Sequence, residues 1–150
     1  MRRFASAEEI LAAKGEPLGS SEWRTITQEQ VNLFADATDD HQWIHIDPER
    51  AAAGPFGAPI AHGFLSLSLL AAFSPEIIAI DGVRMSINYG LDRVRFLTPV
   101  RVGSRVRSTA DLLDAVATDS GARITVRHTV EIEGEPKPAL VADSIALLFW

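Results

Sequence analysis

The chain has 150 residues, of which 47% are hydrophobic and 23% are charged, a composition that indicates one folded domain over residues 1–150 and argues against disorder. The absence of cysteine excludes disulfides and thiolate zinc sites. The formal net charge of −6 argues against non-specific binding to nucleic acid.

The first third of the chain predicts short helices with clear start signals. Two of them begin with capping boxes, in which a serine or threonine is followed three residues later by glutamate or glutamine. A third begins with Asp47-Pro48, an N-cap followed by a proline at the first helical position. The predicted elements are an N-terminal extension helix over 6–14, a strand around 22–26, helices over 27–37 and 47–54, and a loop at 55–59.

The remainder of the chain predicts one buried helix and a sheet. Nearly every residue from Gly63 to Phe73 is apolar, which is typical of a helix that is buried on most sides. After Pro75, apolar and polar residues alternate, as in half-buried strands. The predicted strands lie at about 83–89, 94–96, 124–132 and 139–149, with a turn at 134–138.

This order of elements indicates an α+β fold, in which a curved antiparallel sheet wraps around a long central helix. Such a sheet has an open edge, and pairing of that edge with a second copy predicts a homodimer. The N-terminal residues lack an apolar run of signal-peptide length, and the apolar helix is too short to cross a bilayer. We therefore expect a cytoplasmic protein without a membrane partner.

Positive charge is concentrated in one window of this acidic chain. Six arginines and a single acid, Asp92, lie between Val83 and Arg107, which gives the window a net charge of +5 and leaves −11 for the rest. A local basic face of this kind could receive a polyanionic small molecule. The alternative is a solvated strand face that only balances charge.

The segment from Asp40 to Gly63 holds the candidate catalytic groups. Asp40 and His45 lie five residues apart in a turn-like segment, and His62-Gly63 directly precedes the apolar run. A carboxylate and a neutral imidazole on either side of a water are a usual device for adding water to a polarised double bond. The N–H of Gly63, at the start of the helix, could stabilise an enolate oxygen. The alternative is that these residues only cap, turn or hydrogen-bond the loop, a role that we favour for His62.

A metal site is the competing interpretation of the same segment. His41 and His45 have the i, i+4 spacing of two imidazole ligands, and Asp47 or His62 could complete the set. That arrangement requires a helix through Trp43, and the glutamate of the His-Glu-x-x-His pattern is absent. We therefore predict no metal site.

Residues Asp40 to Leu70 resemble the MaoC-like, hydratase-2 branch of the hotdog-fold family, the (R)-specific enoyl-CoA hydratases. The family motif runs roughly Gly-Asp-x-Asn-Pro-aliphatic-His-x-Asp-Pro, with a His-Gly further along. Residues 39–48 here read DDHQWIHIDP, and His62-Gly63 follows. The tryptophan at position 43 and the Asn88-Tyr89-Gly90 segment look closest to single-domain bacterial members similar to nodulation protein N.

The resemblance implies a hotdog fold and a reaction. The reaction is the reversible syn addition of water to a trans-2-enoyl thioester, which gives the (R)-3-hydroxyacyl thioester. Asp40 and His45 would activate the water, and the Gly63 N–H would bind the thioester oxygen. Coenzyme A is then part of the substrate, no separate cofactor is expected, and the family works as homodimers.

Four further residues are predicted to contact the substrate: His62, Trp43, Asn88 and Arg95. In addition, the arginine-rich window would then have a role in binding the phosphates of coenzyme A. Two other functions remain as alternatives. One is a hotdog acyl-CoA thioesterase, which directs water to the thioester carbonyl, and the other is a non-catalytic module that binds acyl thioesters.

Overall fold

The chain folds into an antiparallel sheet packed against helices, as a computed structural model of residues 1–150 describes it. The helices are α1 (Ala7–Ala12), α2 (Gln28–Thr38), α3 (Trp43–Ile46), α4 (Pro48–Ala52), α5 (Gly63–Ser68) and α6 (Leu70–Ile77). The strands are β1 (Arg2–Phe4), β2 (Pro17–Ser20), β3 (Arg24–Thr25), β4 (Ile78–Ile80), β5 (Met85–Phe96), β6 (Arg105–Thr118), β7 (Gly121–Ile132) and β8 (Leu140–Phe149). No helix has both the length and the apolarity that crossing a bilayer requires.

The main sheet has the strand order β2-β6-β7-β8-β5, and β3 also pairs with β6. All of its pairings are antiparallel. A separate parallel pair joins β1 to β4 at the N-terminus. The predicted α+β fold with a curved antiparallel sheet is therefore confirmed, and the four long strands β5 to β8 form most of the sheet.

The buried face of the sheet follows the predicted alternation. Every second residue of β7, from Ala122 to Ile132, is buried, and the residues between them are partly or fully exposed. Four of these side chains, with three from β6, join one apolar core of 23 buried residues: Ile124, Val126, Val130 and Ile132 of β7, and Val106, Ala110 and Leu112 of β6. The helical segment packs on the same core through Leu70, Phe73 and Ile77.

The central helix differs from the prediction in length and continuity. It consists of α5 and α6, which meet at Leu69, and it continues through Pro75 to Ile77. The expected end before Pro75 is therefore wrong. The helix is also not buried all round, since Phe64 is 68% exposed. An apolar sequence predicted burial on most sides, but only one side of this helix packs against the sheet.

Strand β5 was predicted as two strands, and the structure has one. Two register shifts, between Asn88 and Gly90 and between Asp92 and Arg95, explain the broken alternation. Arg93 lies in the second bulge with a φ of 53°, a conformation that arginine rarely adopts. Strand β5 lies at the sheet edge and is almost entirely exposed. Strands β1, β2, β4 and β6 were not predicted, because their small or charged residues obscure the period of two.

Candidate active site

Asp40 and His45 lie in the connection between α2 and α4. Helix α2 ends at Thr38 and is capped by Asp39, which adopts a left-handed conformation with a φ of 56°. This conformation favours glycine, which is the residue that the family motif has at this position. The next helix, α3, is one turn long and carries His45. A bent loop was expected here, and the single helical turn replaces it.

The imidazole of His45 is fixed in one tautomer. Its Nδ1 lies 2.7 Å from the backbone oxygen of Ile60. A carbonyl oxygen only accepts, so Nδ1 carries the proton and Nε2 keeps its lone pair. Burial lowers the pKa of His45 below the ordinary 6.5, because the charged form is desolvated. His45 is therefore a neutral imidazole at pH 7, with an Nε2 that makes no hydrogen bond within the protein.

His62 packs against the ring of His45 and helps to hold it in place. Its ring stacks on that of His45, with centroids 3.8 Å apart and planes inclined by 26°. Its Nε2 donates to the backbone oxygen of Asp40 at 2.9 Å, and its Nδ1 is fully buried without a partner. The side chain is only 2% exposed. These contacts agree with the structural hydrogen bond favoured from the sequence.

Asp40 and His45 are close enough to share one water. The side chain of Asp40 is 50% exposed. One of its oxygens and one ring nitrogen each of His45 and His62 lie within 4.8 Å of one another. Two ordinary hydrogen bonds of about 2.8 Å that meet at a single water oxygen span such a separation. The sequence motif therefore does bring the acid and the imidazole together.

The N–H of Gly63 is free to bind an oxygen. Gly63 is the first residue of α5, and its N–H donates to no acceptor in the protein. Such a donor at the start of a helix is one of the groups that a ligand can satisfy. A Cβ at this position would lie 3.1 Å from Cδ1 of Phe96, so the absence of a side chain keeps the approach to the amide open.

His45 and Gly63 share the wall of one cavity of about 350 Å³. Asp40 does not line this cavity, and its side chain is half exposed. Ser66, Phe96 and other residues from α5, the end of β5 and the loop after it complete the lining. Neither Ser66 nor Phe96 was predicted to belong to the site. The buried helix of the sequence could have indicated Ser66, which lies one turn after Gly63, whereas nothing local indicates Phe96.

None of the four predicted substrate-binding residues lines this cavity. His62 lies behind His45, and Asn88 lines a second, larger cavity. Arg95 is exposed on β5, where its guanidinium donates to the oxygen of Val94. Trp43 packs under the guanidinium of Arg50, 4.5 Å from the ring centroid. A substrate contact at any of these residues stays a prediction.

Gly54 accommodates the bulk of Trp43. A Cβ at Gly54 would lie 2.9 Å from the indole ring, closer than real Cβ contacts. The ring therefore packs on the backbone at the end of α4 and does not fill the cavity beside His45.

The arginine-rich window divides into paired and unpaired groups. On the sheet, Arg105 and Arg107 form salt bridges with Glu133 and Glu131. Arg84 donates to the backbone oxygen of Trp150. The remaining three have no carboxylate within salt-bridge distance: Arg93, Arg95 and Arg101. Half of the predicted basic face is therefore structural.

The metal pair considered from the sequence does not form. His41 is exposed and bonds the carboxylate of Asp36 at 2.8 Å, so it does not join His45. The cluster of Asp40, His45 and His62 has the composition of a metal site. However, Nδ1 of His45 and Nε2 of His62 are committed to backbone oxygens, and Nδ1 of His62 is sealed from solvent.

Comparison with known proteins gives consistent relatives. Residues 9–135 match the family model described as "MaoC like domain". The chain is 58% identical to 3-hydroxyacyl-thioester dehydratase Z of Mycobacterium tuberculosis over 97% of both chains. It is 50% identical to nodulation protein N of Rhizobium meliloti, over 95% of this chain and 90% of that protein. The solved structure of the (R)-hydratase from A. caviae superposes with a TM-score of 0.69 at 26% identity, over 90% of this chain and 96% of that one. The chain belongs to the family of MaoC-like domains.

Proposed function

We propose that this protein is an (R)-specific enoyl-CoA hydratase, a hydro-lyase that acts reversibly on acyl thioesters. One observation carries the proposal. A neutral histidine with a free Nε2, His45, faces the same cavity as an unused backbone amide, that of Gly63. A carboxylate, Asp40, lies within water-bridging distance of the histidine. The relatives named thioester dehydratase and (R)-hydratase support the same reaction.

The reaction follows from where each proton can go. Asp40 accepts a hydrogen bond from one O–H of a bound water and so orients it. Nε2 of His45 takes the proton of the other O–H as the water oxygen bonds to C3 of the enoyl thioester. The electron pair of the double bond moves toward the thioester oxygen, where the Gly63 N–H stabilises the developing charge. The imidazolium of His45 then returns its proton to C2 on the same face. This sequence adds one water in syn fashion, and its reverse dehydrates the 3-hydroxyacyl thioester.

The carrier proposed for the acyl group is coenzyme A, as part of the substrate and with no further cofactor. Three arginines without carboxylate partners, Arg93, Arg95 and Arg101, lie close in sequence to Phe96 and to the loop that lines the cavity. Guanidinium groups bind phosphates well because their donors match the phosphate oxygens. These three arginines, rather than the salt-bridged Arg105 and Arg107, are therefore the ones proposed to contact the phosphates.

The homodimer is proposed to form at the free edge of β5. This strand exposes large apolar side chains, among them Ile87 at 43% and Tyr89 at 64%, and an exposed apolar edge strand pairs readily. Replacement of Ile87 and Tyr89 by lysine should convert a dimer to a monomer in light scattering. Val116→Lys is a matched control, because Val116 is 42% exposed on β6, away from that edge. A monomeric wild-type protein would contradict the proposal. The cytoplasmic location stays a prediction.

The decisive experiment supplies crotonyl-CoA to the purified protein. Loss of the enoyl absorbance without release of free thiol, with (R)-3-hydroxybutyryl-CoA as product, is the expected result. Free thiol would instead indicate the thioesterase, and binding without turnover would indicate the non-catalytic module. Asp40→Asn and His45→Gln should each lower kcat by roughly 10²–10⁴, as is typical of general acid–base groups. Activity should survive dialysis against a chelator, and a loss that zinc restores would point to a metal at the Asp40 cluster instead.

A further inference from the structure

A second cavity, larger than the one beside His45, lies between the helical segment and the sheet. Its volume is about 770 Å³, and 16 of its 24 lining residues are hydrophobic. Along α5 and α6, Gly63 and Ser66 line the smaller cavity, and Leu67, Leu70 and Ala71 line the larger one. The two cavities therefore border the same helical segment, the smaller one at its start and the larger one further along. If the proposed function holds, the acyl chain of the substrate has this direction in which to extend.

One histidine interrupts the apolar wall of this second cavity. His128 lies on the core face of β7, is 2% exposed, and lines the cavity. Its neighbours on the same strand face are Val126 and Val130, both buried and apolar. Its Nδ1 lies 3.0 Å from Oγ of Ser108 on β6. Nε2 makes no hydrogen bond within the protein, and it is not among the polar atoms sealed from solvent.

A buried polar atom without a partner is costly unless a ligand or water satisfies it. Burial lowers the pKa of His128 to about 4, so the ring is neutral at pH 7 and Nε2 can form one directional hydrogen bond. The Ser108 hydroxyl also lies 3.3 Å from the oxygen of Thr109. If it donates there, it accepts from Nδ1–H of His128, and Nε2 is then an acceptor. If it donates to Nδ1 instead, Nε2–H is a donor.

We infer that His128 selects substrates whose acyl chain carries a second oxygen, distal to the reacting carbons and best supplied as a hydroxyl. A hydroxyl group both donates and accepts, so it satisfies Nε2 in either tautomer of the ring. A plain hydrocarbon chain would bury Nε2 without a partner. The cavity around His128 therefore discriminates against plain chains and is built for an otherwise apolar chain with one polar group.

The register of the sheet gives the distance between His128 and the smaller cavity, and therefore the position of this oxygen along the acyl chain. Phe96, in the wall of the smaller cavity, pairs with Leu140 of β8. His128 pairs with Ala142, two residues further along β8 and one strand beyond it. With usual strand spacings this places His128 about 7 Å along and about 10 Å across the sheet, or about 12 Å from Phe96. An extended chain advances about 1.2 Å per bond, so about ten bonds are needed, which is the length from the thioester carbon to an oxygen on the tenth carbon.

The test compares two thioesters, trans-2-decenoyl-CoA and its analogue hydroxylated at the terminal carbon. In the wild-type protein, kcat/KM should be roughly 10- to 100-fold higher for the hydroxylated chain, since a site built to bond a hydroxyl rejects the analogue without it. His128→Leu should abolish this ratio, and His128→Gln, which keeps a hydrogen-bonding group, should restore part of it. Val126→Ala is the matched control, because it enlarges the same cavity without a polar change and should shift both substrates alike. Thermal melting establishes that each variant is folded.

Two results would overturn the inference. One is an equal kcat/KM for both chains in the wild-type protein. The other is a preference that His128→Leu leaves intact, which would make the Ser108–His128 pair a core hydrogen bond only. Failure of the proposed hydratase function is recognised separately, because crotonyl-CoA would then not be converted to (R)-3-hydroxybutyryl-CoA. In that case, calorimetric binding of the saturated decanoyl-CoA and 10-hydroxydecanoyl-CoA to wild-type and His128→Leu protein applies the same criterion without catalysis.

Discussion

Gly63→Ala separates the role of the Gly63 amide from its contribution to stability. The added Cβ would lie 3.1, 3.2 and 3.3 Å from three ring atoms of Phe96, so the ring must move by a few tenths of an ångström. Phe96 is 49% exposed and has room to move, and alanine is the better helix former by up to about 1 kcal/mol. Gly63 does not have a positive φ. The free energy of unfolding should therefore change by less than about 1 kcal/mol, or about 2–4 °C in Tm.

Activity should respond much more strongly than stability to the same substitution. The new methyl group stands beside the N–H that is proposed to bind the thioester oxygen, within the cavity shared with His45. Displacement of the oxygen from that donor should lower kcat/KM for crotonyl-CoA by roughly 10²–10³, the usual value of one oxyanion donor. The assay is initial-rate hydration, followed by the loss of enoyl absorbance, beside thermal melting by circular dichroism.

The variants Phe96→Ala and Gly63→Ala/Phe96→Ala separate the two ways in which the methyl group could act. If it acts only by pushing the Phe96 ring into the cavity, removal of the ring should restore the rate in the double variant. If it blocks access to the amide, the double variant should stay slow relative to Phe96→Ala alone. Near-normal kcat/KM in Gly63→Ala itself would refute the assignment of the amide as the oxyanion donor.

Three further predictions concern the loop and the buried histidines. Because burial lowers the pKa of His45, kcat/KM should stay level as the pH falls from 8 to 6.5 and decline only below that, and a decline centred above pH 6.5 would contradict a buried neutral base. His128 has a pKa of about 4 in the folded protein and of 6.5 in the unfolded chain, so the unfolded chain takes up the proton first as the pH falls. The contribution of His128 to the free energy of unfolding should therefore be fully present above pH 6.5. It should fall by up to about 3 kcal/mol as the pH drops toward 4. Urea titrations at pH 7 and pH 4.5 should show a smaller loss in His128→Leu, and an equal loss would show that His128 does not titrate in this way. Gly54→Ala places a Cβ 2.9 Å from Trp43 and should lower the free energy of unfolding, measured by heat or urea, by about 1–3 kcal/mol. Adding Trp43→Leu to the same chain should recover most of this loss. If Gly54→Ala alone left the stability unchanged, the indole ring would have to move freely.

The part of the site that the sequence predicted is the part that is local in the chain. Asp40 lies in the short link before α3 and His45 lies in α3 itself, so a spacing of five residues is enough to bring them near each other. His62 and Gly63 follow from the start of the apolar helix, where a histidine and a glycine precede a long apolar run. The fold class followed in the same way from the alternation along the strands, most clearly in β7, which has one buried face.

The wall of the cavity could not be predicted in this way, because it depends on contacts between distant segments. Phe96 meets Gly63 across 33 positions of the sequence only because β5 lies beside the start of α5. The bulges in β5 shift its register twice, so a period of two could not place Phe96 on the correct face. The predicted end of the central helix was wrong for a similar reason. Packing on the core keeps the chain helical through Pro75, although proline lacks the backbone N–H.

Three histidines in this protein differ in role because of their hydrogen-bond partners. His45 lines the smaller cavity, commits Nδ1 to a carbonyl and keeps Nε2 free of any partner in the protein, which suits it to move a proton. His62 commits Nε2 to a carbonyl and seals Nδ1 in the core, so it can only support its neighbour. His128 commits Nδ1 to a hydroxyl and leaves Nε2 available to the larger cavity, where the chain has no partner for it. A single substitution of each should therefore affect a different property: His45 the chemical step, His62 the position of the Asp40 loop, and His128 the choice of acyl chain.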